Sequence, residues 1–172
     1  MTRSSSTSVE IVPRAYDHPH AVQLVRALFD EQVARYGYAD PVEADPSAYE
    51  PPEGQFLVAY LGGRPVACGG SRRHEPAHDT AEIKKMYTVV ELRGRGLGTM
   101  IIDRLEAAAA DNGVRRIILE TGIRNRRALR LYRGVGYQPT ARYVPGRDPQ
   151  INRAFAKMLD SARATEPAMP PR

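Results

Sequence analysis

Glycines and arginines alternate in a short segment between a predicted strand and a predicted helix: Arg93-Gly94-Arg95-Gly96-Leu97-Gly98. Glycines there let the backbone approach a ligand closely, and the free N–H groups and the dipole of the helix start attract an anion. Thr99 stands where the last glycine of a Gly-x-Gly-x-x-Gly dinucleotide motif would be, and no lysine follows as in a P-loop. The segment therefore predicts a phosphate site of another kind.

A second group of polar residues lies on a later predicted helix. Asn125, Leu129 and Tyr132 are spaced i, i+4, i+7 and so share one helix face, which suggests a lined cleft. The core side of this helix is predicted to carry Ala128, Leu131 and Val135. Spacing alone leaves another interpretation open, in which Asn125 is only an N-cap and Tyr132 only a residue at the boundary of the core.

Hydrophobic periodicity and turn residues predict the elements that position these groups. Helices are predicted at residues 18–36, 96–112 and 125–135, the first with its apolar face formed by Val22, Val25, Leu28, Phe29 and Val33. Strands are predicted at residues 9–12, 55–61, 64–72, 80–90 and 115–121, with weaker ones at 137–143 and 152–159. Hairpins come first and strand–helix–strand–helix follows, so the predicted class is α/β with a mixed sheet.

The composition is that of one globular domain, because 172 residues with 42% hydrophobic side chains can bury a core. We predict a domain at residues 9–160, a disordered tail at 1–8 and a flexible tail at 161–172. The single cysteine, Cys68, lies in an apolar stretch and is predicted to be a buried, inert thiol. No signal peptide or membrane-length apolar run is recognisable, which predicts a soluble, cytoplasmic protein.

Charge is distributed unevenly along the chain, whose net charge is +5. No lysine or arginine occurs between Arg35 and Arg64, whereas arginines are concentrated at residues 93–95 and 124–133. Such a chain could bind two ligands of opposite charge, or simply carry two solvated patches. His74, His78 and Asp79 fall in one polar loop, but no third-ligand pattern supports zinc, so no metal site is predicted.

Taken together, the two motifs resemble those of the GNAT superfamily of acyl-CoA-dependent N-acetyltransferases. The superfamily's phosphate loop, Arg/Gln-x-x-Gly-x-Gly/Ala, is met by Arg93, Gly96 and Gly98. Residues 81–89 are similar to its fourth strand and residues 155–159 to its last. Residues 125–137 resemble its second signature, Asn-x-x-Ala-x-x-Leu-Tyr-x-x-x-Gly-Phe/Tyr.

The resemblance implies a mixed, splayed sheet in which acetyl-CoA, a co-substrate, lies between the fourth and fifth strands. It also implies transfer of the acetyl group to a primary amine, a small molecule or a peptide, by direct attack in a ternary complex. The implied cofactor-binding residues are Tyr87, Thr88 and Val89, with Arg93, Gly94, Arg95, Gly96, Leu97, Gly98 and Thr99, and Asn125.

Two catalytic residues follow from the resemblance. Tyr132 would protonate the departing CoA sulfur, because tyrosine, with a reference pKa near 10, keeps its proton at neutral pH. Glu82 would be the base that deprotonates the ammonium, and Glu120, on the neighbouring strand, is the alternative. A salt bridge from Glu82 to Lys84 or a nearby arginine is an equally good interpretation of its position. The acidic segment at residues 36–53 suggests steering of a cationic amine.

Two other function classes stay open at this point. One is an acyl-CoA-binding sensor without catalysis. The other is a nucleic-acid-binding protein, suggested by the pI of about 9.6 but lacking a recognisable nucleic-acid module. A homodimer is a further possibility, and the acceptor amine is not identified.

Overall fold

The computed structural model describes residues 8–41, 45–75 and 77–160. The predicted tails, residues 1–8 and 161–172, lie outside this part of the chain except for the exposed Ser8. In the described part, no helix is long and apolar enough to cross a membrane. The cytoplasmic location and the domain boundaries stay predictions.

The described residues form one seven-stranded sheet flanked by helices, with the strand order β1-β2-β3-β4-β5-β7-β6. The strands are β1 Val9–Pro13, β2 Gly54–Leu61, β3 Arg64–Arg73, β4 Thr80–Thr88, β5 Arg116–Gly122, β6 Gln138–Pro139 and β7 Asn152–Met158. The helices are α1 Pro19–Tyr36, α2 Leu97–Asp111 and α3 Arg126–Gly134. All neighbouring strands are antiparallel except β4 and β5, which are parallel. The predicted α/β class with a mixed sheet is confirmed.

Each face of the sheet packs against its own helix, because successive strand residues point to opposite faces. On one face α2 buries Ile101 and Leu105 in the cluster that also holds Ile117 and Leu119. On the other face α1 buries Leu24 in a second cluster around Phe56 and Val58. Cys68 is fully buried in this second cluster, as predicted, and burial raises the pKa of its thiol.

The apolar face predicted for α1 is wrong at two of its five positions. Val22 and Val33 are 49% and 42% exposed, whereas the buried residues of this helix are Ala21 and Leu24. The inward stripe continues from Leu24 into Glu31 and Arg35, which line a cleft. Because this stripe becomes charged after Leu28, a search for apolar residues at helical spacing also includes Val22 and Val33, which face solvent.

The strand predicted at residues 137–143 is reduced to Gln138–Pro139. Proline has no N–H to donate to a ladder, which limits pairing at this point. Thr140 N–H still donates to Ala154 O at 3.0 Å, and the chain then leaves the sheet as a loop. We call residues 141–151 the β6–β7 loop. It carries Tyr143 and Arg147 toward the middle of the molecule, where both contact glutamates.

The parallel pair β4–β5 separates soon after it begins. Its register covers only Thr80 to Glu82 on β4 and Arg116 to Ile118 on β5. Beyond these residues β4 stays paired with β3, and β5 stays paired with β7, so the sheet splays between them. A bulge at Lys85, whose φ of 59° is in the left-handed region, interrupts the β3–β4 register at the same level. The splay opens a cleft in the middle of the sheet.

Candidate active site

One cleft of about 640 Å³ occupies the space between the diverging strands and the three helices. At one end lie residues 94, 96–99, Arg127 and Arg130, which we call the glycine end. At the other lie Tyr36, Asp40, Glu82, Glu120 and Arg147, which we call the carboxylate end. Tyr132 also lines the cleft.

The glycine end presents free backbone N–H groups. Gly94 and Gly96 have φ values of 78° and 82°, a conformation that glycine adopts without a Cβ penalty. Gly96 is the N-cap of α2, and the first intrahelical bond of this helix runs from Met100 N–H to Gly96 O. The N–H groups of residues 97–99 therefore have no helical partner. With the positive end of the helix dipole, they suit an anion such as a pyrophosphate.

Gly98 has a different role from Gly94 and Gly96. A Cβ at this position would lie 2.9 Å from Leu131 Cδ2, whereas Cβ atoms on the other two would meet nothing within 4 Å. Gly98 therefore lets the start of α2 pack closely against α3. Gly98 and Leu131 both line the cleft at this contact.

Arg93 is held by protein groups. Its guanidinium donates to both carboxylate oxygens of Glu31 on α1, its Nε donates to Thr88 O at 2.9 Å, and it lies 5.5 Å from the Tyr87 ring. Hydrogen bonds from Arg93 and Arg35 outweigh the effect of burial and hold the pKa of Glu31 below its usual value. Arg93 therefore fastens the segment before the glycines to α1, and its charge is already compensated.

Two residues predicted to contact the cofactor lie outside the cleft lining. Arg95 is exposed and is not among the lining residues. Val89 also does not line the cleft, because its N–H turns the other way and donates to Val66 O on β3 at 2.9 Å. The other predicted positions, namely Tyr87, Thr88, Arg93, Gly94, Gly96, Leu97, Gly98, Thr99 and Asn125, all line the cleft.

Sequence reasoning missed Arg127 and Arg130, which line the cleft with exposed side chains. Their i, i+3 spacing places them on one side of α3. This spacing was the available signal, but five arginines in residues 124–133 obscure it. Since Glu31 compensates the charge of Arg93, Arg127 and Arg130 are the residues that make the glycine end electropositive.

The core side predicted for α3 is confirmed, because Ala128, Leu131 and Val135 pack against the core, but the predicted cleft side is partly wrong. Ala128 and Leu131 line the cleft together with Asn125 and Tyr132, whereas Leu129 does not. Asn125 is the N-cap of α3, and its side chain accepts a hydrogen bond from Ala128 N–H at 3.2 Å. The capping interpretation of Asn125 is therefore correct, and the residue also lines the cleft.

Tyr132 is the one buried residue among those described in α3. Its ring packs edge-on against Tyr137, with ring centroids 5.9 Å apart. Burial raises the pKa of Tyr132, so its hydroxyl stays protonated across the neutral range. The structure thus places a proton donor beside the cleft.

Glu82 is fully engaged by neighbouring groups. Its Oε2 accepts from Arg72 Nη2 at 3.2 Å, and its Oε1 accepts from the Tyr143 hydroxyl at 2.9 Å. Lys84 Nζ lies 3.9 Å from Oε1. The salt-bridge interpretation of this residue is therefore correct.

Glu120 is the opposite case. Its side chain is only 6% exposed, and no side-chain donor hydrogen-bonds to either carboxylate oxygen. The backbone N–H groups of Tyr143 and Val144 lie nearby and lower its pKa slightly, without reaching good hydrogen-bond geometry. Burial raises the pKa of Glu120, the nearby Glu82 carboxylate raises it further, and the Arg147 guanidinium opposes both. Arg147 Nε lies 3.7 Å from Glu120 Oε2, and the same guanidinium contacts Asp40 at 2.6 Å.

Tyr36, at the end of α1, brings a second unpartnered group to the carboxylate end. Its hydroxyl is buried without a hydrogen-bond partner. It lies over β5 at Gly122, where an added Cβ would be 2.1 Å from the hydroxyl oxygen. Gly122 and Glu120 are two residues apart on one strand and so share a face of the sheet.

The sequence model of the acetyltransferase (GNAT) family matches residues 25–137, which include the glycine segment, Glu82, Glu120 and Tyr132. The chain belongs to this family. It is therefore an acetyltransferase, and neither the sensor nor the nucleic-acid interpretation is needed to explain the motifs.

Individual relatives and solved structures that resemble this chain also have names that describe acetyltransferases or acyltransferases. This GNAT acetyltransferase is 32% identical over 129 residues to an IAA acetyltransferase of Azospirillum brasilense, covering 69% of this chain and 81% of the relative. A proposed acyl-CoA N-acyltransferase of Klebsiella pneumoniae superposes with a TM-score of 0.75 at 25% identity, covering 90% and 99% of the two chains. A proposed acetyltransferase of Salmonella typhimurium, solved with acetyl-CoA, has the same fold with a TM-score of 0.67 at 19% identity, covering 92% and 98%.

Proposed function

We propose that this GNAT acetyltransferase binds acetyl-CoA at the glycine end and transfers the acetyl group directly to a primary amine held at the carboxylate end. The observation that carries the proposal is the continuity of the cleft. An anion-binding helix start, a buried tyrosine and two buried carboxylates all line one space of about 640 Å³. Both substrates can therefore be present together, as a ternary-complex mechanism requires.

The backbone supplies most of the cofactor contacts in this proposal. The N–H groups of residues 97–99 bind the pyrophosphate, and Arg127 and Arg130 lie where they attract the phosphates. Tyr87 and Thr88 line the cleft on β4, beyond the point where β5 has separated. Their strand edge is available to pair with an extended amide-bearing chain such as pantetheine.

The reaction requires the amine to lose a proton first, because an alkyl ammonium has a pKa near 10.4 in the lysine reference case. A carboxylate at the carboxylate end, Glu82 or Glu120, takes that proton. The neutral nitrogen then attacks the thioester carbon, and the carbon–sulfur bond breaks as the nitrogen loses its second proton. Tyr132 donates a proton to the leaving sulfur and is reprotonated by the proton released from nitrogen.

The chemical identity of the acceptor substrate is limited only to the class of amines. The predicted steering by the acidic segment has limited support, because Asp40 is paired with Arg147 and Glu53 with Arg73. These pairs compensate two of the charges that the composition suggested were free. The name of the Azospirillum brasilense relative adds IAA-related compounds to the substrates worth testing.

The proposal is tested by measuring CoA thiol release from acetyl-CoA against a panel of amines, amino acids, amine-bearing antibiotics and peptides. We expect at least one amine to raise thiol release well above the rate without acceptor, with one acetylated amine formed per thiol. Calorimetry run in parallel measures CoA binding. Binding without turnover on the whole panel would instead support a sensor.

A further inference from the structure

The charges that line the cleft form three separate groups. Four carboxylates of the described residues line it, from Glu31, Asp40, Glu82 and Glu120. Each is near at least one basic side chain, but the balance of charge differs from group to group. That balance indicates where a cationic acceptor fits.

In two of the groups the carboxylate already has two basic side chains against it. Glu31 contacts both Arg93 and Arg35, and Glu82 contacts both Arg72 and Lys84. An additional ammonium at either carboxylate would meet two positive charges already in place. Neither group offers a favourable site for a cation.

In the third group one guanidinium is shared between two carboxylates. Arg147 is shared between Asp40, at 2.6 Å, and Glu120, at 3.7 Å. The shorter distance shows that the guanidinium is bound to Asp40 and is only adjacent to Glu120. Glu120 is thus a buried carboxylate that has no side-chain hydrogen-bond donor and only the backbone N–H groups of Tyr143 and Val144 nearby. A buried carboxylate that is incompletely hydrogen-bonded costs free energy until a further donor arrives.

We propose that Glu120 binds the acceptor ammonium and takes its first proton, and that the acceptor displaces Arg147 from the side of Glu120 to do so. This inference rests on the proposed amine acetylation. Arg147 keeps its partner Asp40 when it moves, so no charge is left isolated. The unpartnered Tyr36 hydroxyl lies next to this position and can accept a second N–H of the ammonium.

The proton transfer is balanced within the cleft. R–NH3⁺ and the Glu120 carboxylate give R–NH2 and the protonated carboxyl, with no other reactant. The charged or titratable neighbours of Glu120 are Arg147 and Tyr143 from the β6–β7 loop, Glu82 from β4 and Tyr36 from α1. The Tyr143 hydroxyl already donates a hydrogen bond to Glu82 Oε1. Arg147 is therefore the neighbour whose movement changes the basicity of Glu120.

The first test compares Glu120→Gln with Glu82→Gln, using an amine that the wild type acetylates. With Glu120→Gln we expect kcat/KM for the amine to fall by 100-fold or more at pH 7 and to recover as the pH approaches the amine pKa, since free amine then needs no base. Unchanged CoA affinity and melting temperature show that the variant is folded. Glu120→Asp, a shorter carboxylate, should restore part of the rate and the acid limb of the pH profile. If Glu82→Gln instead reproduces this pH-dependent loss and Glu120→Gln behaves as wild type, the assignment is overturned.

The second test uses two variants that should act in opposite directions. Arg147→Met removes the guanidinium, so the KM for the amine should fall and the acid limb of kcat/KM should move up by roughly one pH unit. Asp40→Asn leaves Arg147 with Glu120 alone, so the KM should rise and the acid limb should move down. Shifts of equal sign, or none, would refute the displacement. A wild type that acetylates no amine would refute the proposed function itself, which is a distinct outcome.

Discussion

The two ends of the cleft are formed by different kinds of groups. The glycine end consists of backbone N–H groups from one contiguous segment, residues 94–99, together with two arginines on α3. The carboxylate end consists of side chains from four separate segments of the chain. They are Tyr36 with Asp40, Glu82, Glu120 and Arg147, which are more than 100 residues apart at the extremes. One end is a local structure and the other is a product of the whole fold.

The difference has a chemical consequence. Backbone N–H groups at a helix start recognise phosphate without any particular side chain, so this end tolerates substitution of neighbouring side chains. At the carboxylate end, affinity and basicity depend on which charge is next to which. Substitutions at the two ends should therefore affect different kinetic constants.

The largest effect is expected where the two ends meet, at Tyr132. Tyr132→Phe keeps the ring packed on Tyr137 and removes the proton, so kcat should fall by roughly 10²- to 10³-fold with CoA affinity nearly constant. Single-turnover kinetics measures the rate of acetyl transfer, and calorimetry measures the Kd for CoA. A Phe variant with the parent rate would leave water as the proton source.

The next effect concerns the glycine end alone. Gly96→Asp places a carboxylate among the N–H groups that bind the pyrophosphate, so the Kd for CoA should rise by about tenfold or more. Gly63→Asp is the matched control, because Gly63 also has a positive φ, 78°, and open space around it, but lies in the β2–β3 hairpin turn. Equal Kd values for the two variants would contradict the assignment of pyrophosphate binding to this site.

A smaller effect is expected at the carboxylate end from Gly122→Ala. The new methyl group would overlap the Tyr36 ring, with Cβ 2.1 Å from the hydroxyl oxygen, so the ring must swing away. We expect the KM for the amine to rise by roughly tenfold or less while CoA affinity is kept. Gly134→Ala, with no atom within 4 Å of the new Cβ, should leave both constants unchanged. A rise in the CoA Kd for Gly122→Ala would show that the two ends are not separable.

The smallest effect tests the ionic connection between α1 and the glycine end. Glu31→Gln removes the anion shared by Arg93 and Arg35, which should lower the melting temperature by about 2 °C at neutral pH. The pKa of Glu31 is lowered in the folded state, so its contribution is present above the unfolded value of about 4.5 and is lost as the pH falls through the folded pKa. Thermal melts of both proteins should thus converge only below about pH 4.5. Convergence already at pH 6 would contradict the pairing.

Sequence reasoning found the glycine end and missed much of the carboxylate end for physical reasons. A loop, a helix start and an i, i+4, i+7 pattern are local, so Gly96, Asn125 and Tyr132 could be located from spacing. Arg147 gave no local signal, because its partners Asp40 and Glu120 are distant in sequence and it lies in the loop between the two weaker predicted strands. Tyr36 was hidden for another reason, since the inward stripe of α1 is polar and the apolar pattern of that helix points elsewhere.

The splay of the sheet affects the stability of the protein when no ligand is bound. Beyond Glu82 and Ile118, β4 and β5 each present an inner edge that the other strand does not cover. Unpaired edges are templates for adventitious β pairing and aggregation. An extended cofactor arm lying between them would act as a substitute strand, and at 100 times its Kd a ligand that binds only the folded state adds about 2.7 kcal/mol of stability. Saturating CoA should therefore protect this acetyltransferase from heat-induced aggregation as well as supply its acetyl group.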